Sequence, residues 1–356
     1  MLLYWVGNTD HPPPYTDQGL TAMKNKFLLF ITSLILLTLS ACVTEDEFAD
    51  NPRGNFEALW KIMDEHYCFF KEKGVDWNEV YSKYSKQINE EMTKNQLFEV
   101  MCNMLAEVKD GHVNLFSPFD LGRYWGFHEK YPSNYSDTLI NKYLGTDYKI
   151  AGGFRYRILD DNVGYIQCST FQNSIGASNL DEILLYLAPC NGLIIDLRQN
   201  GGGLVTSAEE LAARFTNEPL LVGYMRHKTG KGHNDFSKMT EQTLKPARRV
   251  RWQKKVVVLT NRQVFSAANE FVKYMKCCPK ATIMGDKTGG GAGLPFSSEI
   301  PNGWSVRFSA CPMYDKDKQS TEDGIMPDIS VSLSLVDFWR GQDTIIEAAR
   351  AFLRNP

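Results

Sequence analysis

Val256-Val257-Val258-Leu259-Thr260-Asn261-Arg262-Gln263-Val264-Phe265-Ser266-Ala267-Ala268-Asn269-Glu270 is the stretch on which the fold turns. Its first four residues form an unbroken aliphatic run, the pattern of a short strand covered on both faces in a parallel sheet. From Ser266 the chain changes to helical spacing and keeps it as far as Met275. A buried strand, a turn and a helix together make half of a βαβ unit.

The same grammar recurs on either side. Gly192-Leu193-Ile194-Ile195-Asp196-Leu197 is a second buried run, and Val163-Gly164-Tyr165-Ile166-Gln167-Cys168 reads as a strand. Residues 220–225, 281–284 and 304–310 add strands, while 180–187, 207–215 and 344–353 have helical spacing. The expectation is an α/β (α+β) core over residues 151–356. No internal repeat is visible.

Upstream, Phe56, Leu59, Trp60 and Met63 recur at helical spacing, as do Leu97, Val100, Met101, Met104 and Leu105. Trp77, Val80, Tyr81 and Tyr84 form another apolar stripe. Residues 53–116 are therefore expected to form a small helical domain. Residues 117–150, rich in Tyr, Gly, Asn, Asp and Pro, read as a connector.

The amino-terminal segment reads as an address. Residues 27–39 form an apolar run shorter than the roughly 20 residues a membrane-spanning helix needs. Lys24 and Lys26 precede it and Ser40-Ala41-Cys42 follow, the order of regions in a secretory signal. Leu39-Ser40-Ala41-Cys42 resembles a bacterial lipoprotein signal, in which cleavage leaves the cysteine to be lipidated. Residues 23–41 are thus expected to be a signal peptide, and residues 1–22 a non-native extension upstream of Met23. Residues 42–52 would be an acidic tether. The expected location is the bacterial cell envelope, lipid-anchored at the outer membrane through Cys42.

Composition narrows the functional class. The 356 residues suggest about two domains. With 43% hydrophobic and 23% charged residues, the chain is neither disordered nor collagen-like. Thirty-nine basic against 42 acidic residues leave no general basic footprint for nucleic acid. Eight cysteines without a C-x-x-C pair do not make a disulfide scaffold or a zinc cluster. The three glycines at 201–203 lack the Lys-Ser/Thr of a phosphate loop, and those at 289–291 do not open a helix. No metal or organic cofactor is expected.

Four local patterns could carry chemistry. Ser266 stands between a buried strand and a helix, where free backbone N–H groups and the helix dipole favour developing negative charge. An ordinary N-cap serine would look the same. Asp196-Leu197-Arg198-Gln199-Asn200-Gly201-Gly202-Gly203 could bring backbone donors close to a ligand, or be a flexible turn. Asp110-Gly111-His112 offers an imidazole as general base, or a structural histidine. Glu322-Asp323-Gly324-Ile325-Met326-Pro327-Asp328 supplies a carboxylate, or is a solvated turn.

Together and in this order, D-L-R-Q-N-G-G-G, F-S-A-A-N-E, G-D-K-T-G-G-G and E-D-G-I-M-P-D resemble the carboxyl-terminal processing and tricorn-core family of serine peptidases. The likeness covers about residues 53–350. It implies a helical amino-terminal domain followed by a core similar to crotonase and Clp protease subunits. It also implies that Ser266 is the nucleophile, with Ala267 and Gly202 as oxyanion donors. The processing branch of the family uses a lysine base, but Gly291 stands at that place here. The tricorn branch uses a histidine paired with a serine and a distant glutamate. His112 matches the histidine and Glu322 the glutamate, whereas Gly111 stands where the serine would be. The PDZ domain of many processing peptidases has no room in residues 117–150.

The resemblance therefore implies a serine peptidase acting on peptides or proteins. Ser266 would attack the carbonyl, His112 would take the proton and Glu322 would orient His112. The alternatives are a non-catalytic lipid- or peptide-binding protein on the same fold and a crotonase-like acyl-thioester enzyme.

Overall fold

The computed structural model describes residues 47–354. The expected extension 1–22, the signal 23–41, Cys42 and the start of the tether lie outside the described residues. Among the described residues no helix is long and apolar enough to cross a membrane.

Four helices come first: α1 (Pro52–His66), α2 (Phe70–Lys73), α3 (Trp77–Tyr84) and α4 (Lys94–Ala106). Their starts are written in the sequence. The Asn51 side chain accepts the Gly54 N–H at 2.7 Å with Pro52 in the first turn, and Thr93 and Gln96 form a capping box on α4. Helix α2 stops at Gly74, which adopts φ +64°. The expected apolar stripes face inward. Phe56, Leu59, Met63, Trp77, Met101 and Met104 are buried together with Val306 and Phe308.

The segment expected to be helical ends instead in a strand, β1 (Asn114–Phe116), and the expected connector holds β2 (Leu121–Gly122), α5 (Gly126–Glu129), α6 (Asp137–Leu144) and the start of β3 (Lys149–Ala151). Helix α6 was masked in the sequence by its polar neighbours. Leu139, Ile140 and Leu144 are buried by tertiary contacts, and Ser136 caps the helix.

The remaining elements are β4 (Phe154–Ile158), β5 (Val163–Gln167), α7 (Ala177–Leu187), β6 (Gly192–Asp196), α8 (Val205–Ala212), β7 (Leu220–Met225), β8 (Thr240–Leu244) and β9 (Val256–Thr260). They continue with α9 (Ala267–Met275), β10 (Ala281–Gly285), β11 (Gly293–Glu299), β12 (Ser305–Tyr314), β13 (Ile329–Ser330), α10 (Leu335–Trp339) and α11 (Thr344–Arg354). One sheet runs β13-β10-β9-β6-β5-β4-β3, parallel from β13 to β5 and antiparallel at β4 and β3. Every residue of β5, β6 and β9 is buried because both faces are covered. Leu193, Ile195, Val256 and Val258 pack with α7, α8 and α9, while Ile194, Val257 and Leu259 pack with α6 and α11. The second sheet is antiparallel, ordered β2-β1-β12-β7-β8 with β11 also paired to β12.

Strands β6 and β9 lie in register, with Ile195 opposite Val258 and Asp196 opposite Leu259. The glycine turn and the Ser266 turn thus leave adjacent parallel strands at their carboxyl ends, where sites of open α/β sheets gather. Helix α9 is buried throughout, including an ion pair of Glu270 with Lys273 at 2.6 Å.

Candidate active site

Ser266 precedes α9 with φ +57° and ψ −125°, a conformation that non-glycine residues rarely adopt. Its side chain makes no capping hydrogen bond. Instead Oγ lies 2.9 Å from Nε2 of His112. The N-cap alternative is therefore set aside by geometry. The backbone holds the strained turn: the Ser266 N–H donates to Gly290 C=O at 2.9 Å, and the Phe265 N–H to Asn200 C=O at 3.1 Å.

His112 sits in the turn after α4, where Lys109 has φ +49°. Asp110 builds that turn. Its Oδ1 accepts the His112 N–H at 2.7 Å, and its Oδ2 accepts the hydroxyls of Ser309 at 2.8 Å and Tyr67 at 3.1 Å. The His112 ring is buried against Phe265, with centroids 4.7 Å apart. Burial pushes its pKa down to about 4. Asp110 opposes the shift, while Arg307 and Lys73 add to it. The imidazole is consequently neutral near pH 7, and with its proton on Nδ1 it can accept from Ser266 at Nε2. Nδ1 itself has no partner among the described residues.

The glycine turn lies directly on the nucleophile. A Cβ on Gly202 (φ +97°) would stand 2.8 Å from Ser266 Cβ and 2.9 Å from Ala267 N, so no side chain fits. The expectation for the Gly202 N–H needs correction, however. It donates to Asn200 Oδ1 at 2.9 Å, and Asn200 Nδ2 in turn donates to Cys168 C=O at 3.0 Å. An N–H already bonded inside its own turn is not free for an oxyanion. Ala267, as the first residue of α9, has no acceptor within the helix for its N–H.

Arg198 anchors the entry to this turn. Fully buried, it donates to both oxygens of Asp196 at 2.9 and 2.7 Å, to Asp343 at 2.9 Å and to Asn134 C=O at 3.1 Å. The pairing satisfies a guanidinium that would otherwise be expensive to bury.

Glu322 is buried near the pair but makes no hydrogen bond to His112. Its Oε2 accepts the Ala292 N–H at 2.8 Å, and its Oε1 lies 3.0 Å from Lys73 Nζ. Burial raises its carboxyl pKa to about 8 with help from Asp110, while Lys73 and the Ala292 N–H oppose the rise. The serine of the tricorn branch, replaced here by Gly111, would have no space. A Cβ on Gly111 would stand 2.6 Å from Phe127 Cε1 and 2.8 Å from Phe265 Cζ. Orientation of His112 falls instead to Asp110, through the backbone.

Sequence reasoning missed Asp110, Asn269, Thr288 and Lys73. Asn269 Nδ2 donates to Thr321 C=O at 3.2 Å, the Thr288 hydroxyl to Asn269 Oδ1 at 2.7 Å, and the Ile325 N–H to Thr288 Oγ1 at 2.6 Å. Three of the quoted motifs are stitched together by these side chains. Each lay inside a motif, so a signal existed, but its partner did not show. Lys73 carried no signal. Among the described residues no group of three or more His, Cys, Asp or Glu could hold a metal.

Comparison with known proteins bears on this geometry. Peptidase family S41 matches residues 162–331, and the tricorn protease C1 domain matches residues 42–106. A solved protein of Parabacteroides merdae, described as a peptidase, is 51% identical, with 86% of this chain and 98% of that one covered and a TM-score of 0.83. A probable CtpA-like serine protease of Staphylococcus epidermidis is 30% identical over 173 residues. That match takes 48% of this chain and spans 34% of the curated relative's length. Mature CPAF shares the fold at 12% identity and a TM-score of 0.65, with 85% of this chain and 96% of that one covered.

Proposed function

This chain belongs to peptidase family S41, and we propose that it is a serine peptidase hydrolysing peptide bonds through an acyl-enzyme on Ser266. The observation that carries the reading is the 2.9 Å approach of Ser266 Oγ to His112 Nε2. Ser266 reaches it from a turn strained away from capping. As Oγ bonds to the peptide carbonyl carbon, its proton passes to Nε2. The carbon–nitrogen bond then breaks, and the departing amine takes that proton. Water then gives a proton to the same imidazole and bonds to the ester carbon; the carbon–Oγ bond breaks, Oγ takes that proton back, and the acid product leaves. The oxyanion accepts from the Ala267 N–H, with the glycine turn at Gly202 lying alongside. Each such donor is worth about 3–4 kcal/mol in other enzymes. Glu322 acts on the nucleophile's support and not on the imidazole.

Under this reading residues 53–116 supply the base, 117–150 connect, and 151–356 supply the nucleophile, so neither part is catalytic alone. The substrate is a peptide or protein. Nothing observed favours a non-catalytic binding role on the same fold.

The test of the nucleophile is labelling by a serine-reactive fluorophosphonate, mapped by mass spectrometry. The adduct is expected on the peptide containing Ser266. Absence of labelling, or a label on another serine, would sink the assignment.

The lipid anchor belongs to the same proposal and rests on the residue order from Lys24 to Cys42. It would hold the peptidase at the outer membrane. In cells, Cys42→Ser is expected to move the protein from the membrane pellet to the soluble fraction. Unchanged partition would remove the anchor.

A further inference from the structure

Lys73 is remote in sequence from every motif, yet it ends in the site. Its backbone is fixed at the end of α2, where Gly74 turns the chain with φ +64°. Phe70, at the other end of the same helix, is packed against Tyr67 and Trp77. From this support the side chain runs inward until Nζ lies 3.0 Å from Glu322 Oε1 and 3.2 Å from Asp323 Oδ1.

Glu322 passes the contact on. Its Oε2 holds the Ala292 N–H at 2.8 Å, and its backbone carbonyl accepts the Gly291 N–H at 2.9 Å. The carbonyl approaches so closely that a Cβ on Gly290 would stand 1.8 Å from it. Gly290 C=O in turn accepts the Ser266 N–H at 2.9 Å. An unbroken chain of contacts thus runs from the Lys73 ammonium through Glu322 and residues 290–292 to the backbone of the strained serine.

We propose that Lys73 is a positioning residue for the peptidase reaction: its ammonium holds the Glu322 carboxyl group on the 290–292 turn and so fixes Ser266 in the geometry that meets His112. The inference rests on the peptidase reading above. Lys73 brings an ammonium to that contact and not merely a space-filling chain. Burial and Asp110 push the Glu322 carboxyl toward protonation, and Lys73 is the cation that opposes them. Burial also works against the Lys73 charge, but Glu322, Asp110 and Asp323 outweigh it and keep the amine protonated. The same ammonium disfavours the imidazolium of His112, alongside Arg307 and against Asp110. Removing it should loosen the serine turn and raise the pKa of the base.

The experiment is the second-order rate of fluorophosphonate labelling against pH for Lys73→Met, Lys73→Arg, Glu322→Gln and the Lys73→Met/Glu322→Gln double variant. Misplacement of reacting groups by a remote change slows reactions by roughly 10- to 100-fold. Lys73→Met and Glu322→Gln are each expected to lose that much at pH 7. The double variant should be no slower than the slower single one, because both act through one contact. Lys73→Arg should retain most of the rate. The acid limb should move upward in Lys73→Met and stay in place in Lys73→Arg. If Lys73→Met does not fold, Lys73→Gln, which keeps a donor and drops the charge, takes its place. A wild-type rate and acid limb in the charge-deleted variant, or losses that multiply in the double variant, overturn the role of Lys73 and leave the nucleophile assignment standing. A wild-type protein that does not label at Ser266 overturns both.

Discussion

Ser266→Ala is expected to lower kcat on a peptide substrate by about a millionfold while leaving the fold in place. That factor corresponds to about 8 kcal/mol of transition-state stabilisation. The loss should be this large because, among the described residues, no other hydroxyl is bonded to the His112 imidazole. His112 Nε2 has Ser266 Oγ at 2.9 Å, and its other ring nitrogen has no partner among the described residues. The fold should survive for an equally local reason. The strained φ of +57° belongs to the backbone and is held by the Gly290 carbonyl, a contact alanine keeps. The check is turnover of a fluorogenic peptide library together with the melting temperature. Residual turnover within a hundredfold of wild type in a folded Ser266→Ala protein would remove the acyl-enzyme.

His112→Ala should approach the same loss, since nucleophile and base act as one unit. The wild-type pH profile offers a sharper view of the base. An ordinary histidine would switch off general-base catalysis below about pH 6.5. Here burial holds the imidazole at about 4, with Asp110 opposing and Arg307 and Lys73 reinforcing the shift. The acid limb of kcat/KM is therefore expected near pH 4, and a limb at 6–7 would contradict the buried base. Stability should follow the same linkage. The folded pKa lies below the unfolded value, so the neutral imidazole stabilises the fold fully above about pH 6.5. That contribution is lost as pH falls toward 4. Glu322 runs the other way. Its raised pKa gives a contribution present below the ordinary carboxylate range and lost as pH rises through about 8. Urea denaturation of wild type and His112→Ala from pH 4 to 8 separates the two, because only the histidine contribution vanishes in the variant.

Much of this was legible in the chain. Aliphatic runs at 192–197 and 256–259 announced strands covered on both faces, and β6 and β9 are buried at every residue. Apolar spacing at 56–63 and 97–105 announced helices, and both are present. The short motifs pointed to Ser266, His112, the glycine turn and Glu322. Strands β8 and β11 were not legible, because they lie at sheet edges, where burial imposes little pattern.

Local sequence by itself determined the buried central strands and the amphipathic helices, since backbone propensity and apolar spacing act over a few residues. It also determined which residue types stand at the turns. Only the tertiary structure decided what those residues do. Ser266 became the partner of a histidine 154 positions away and not a helix cap. The Gly202 N–H was taken by Asn200, and Glu322 turned from His112 to a lysine near the amino terminus. Hydrogen bonds and buried charges are settled by which groups meet once water is excluded. Such meetings depend on packing between distant segments, which no local pattern records.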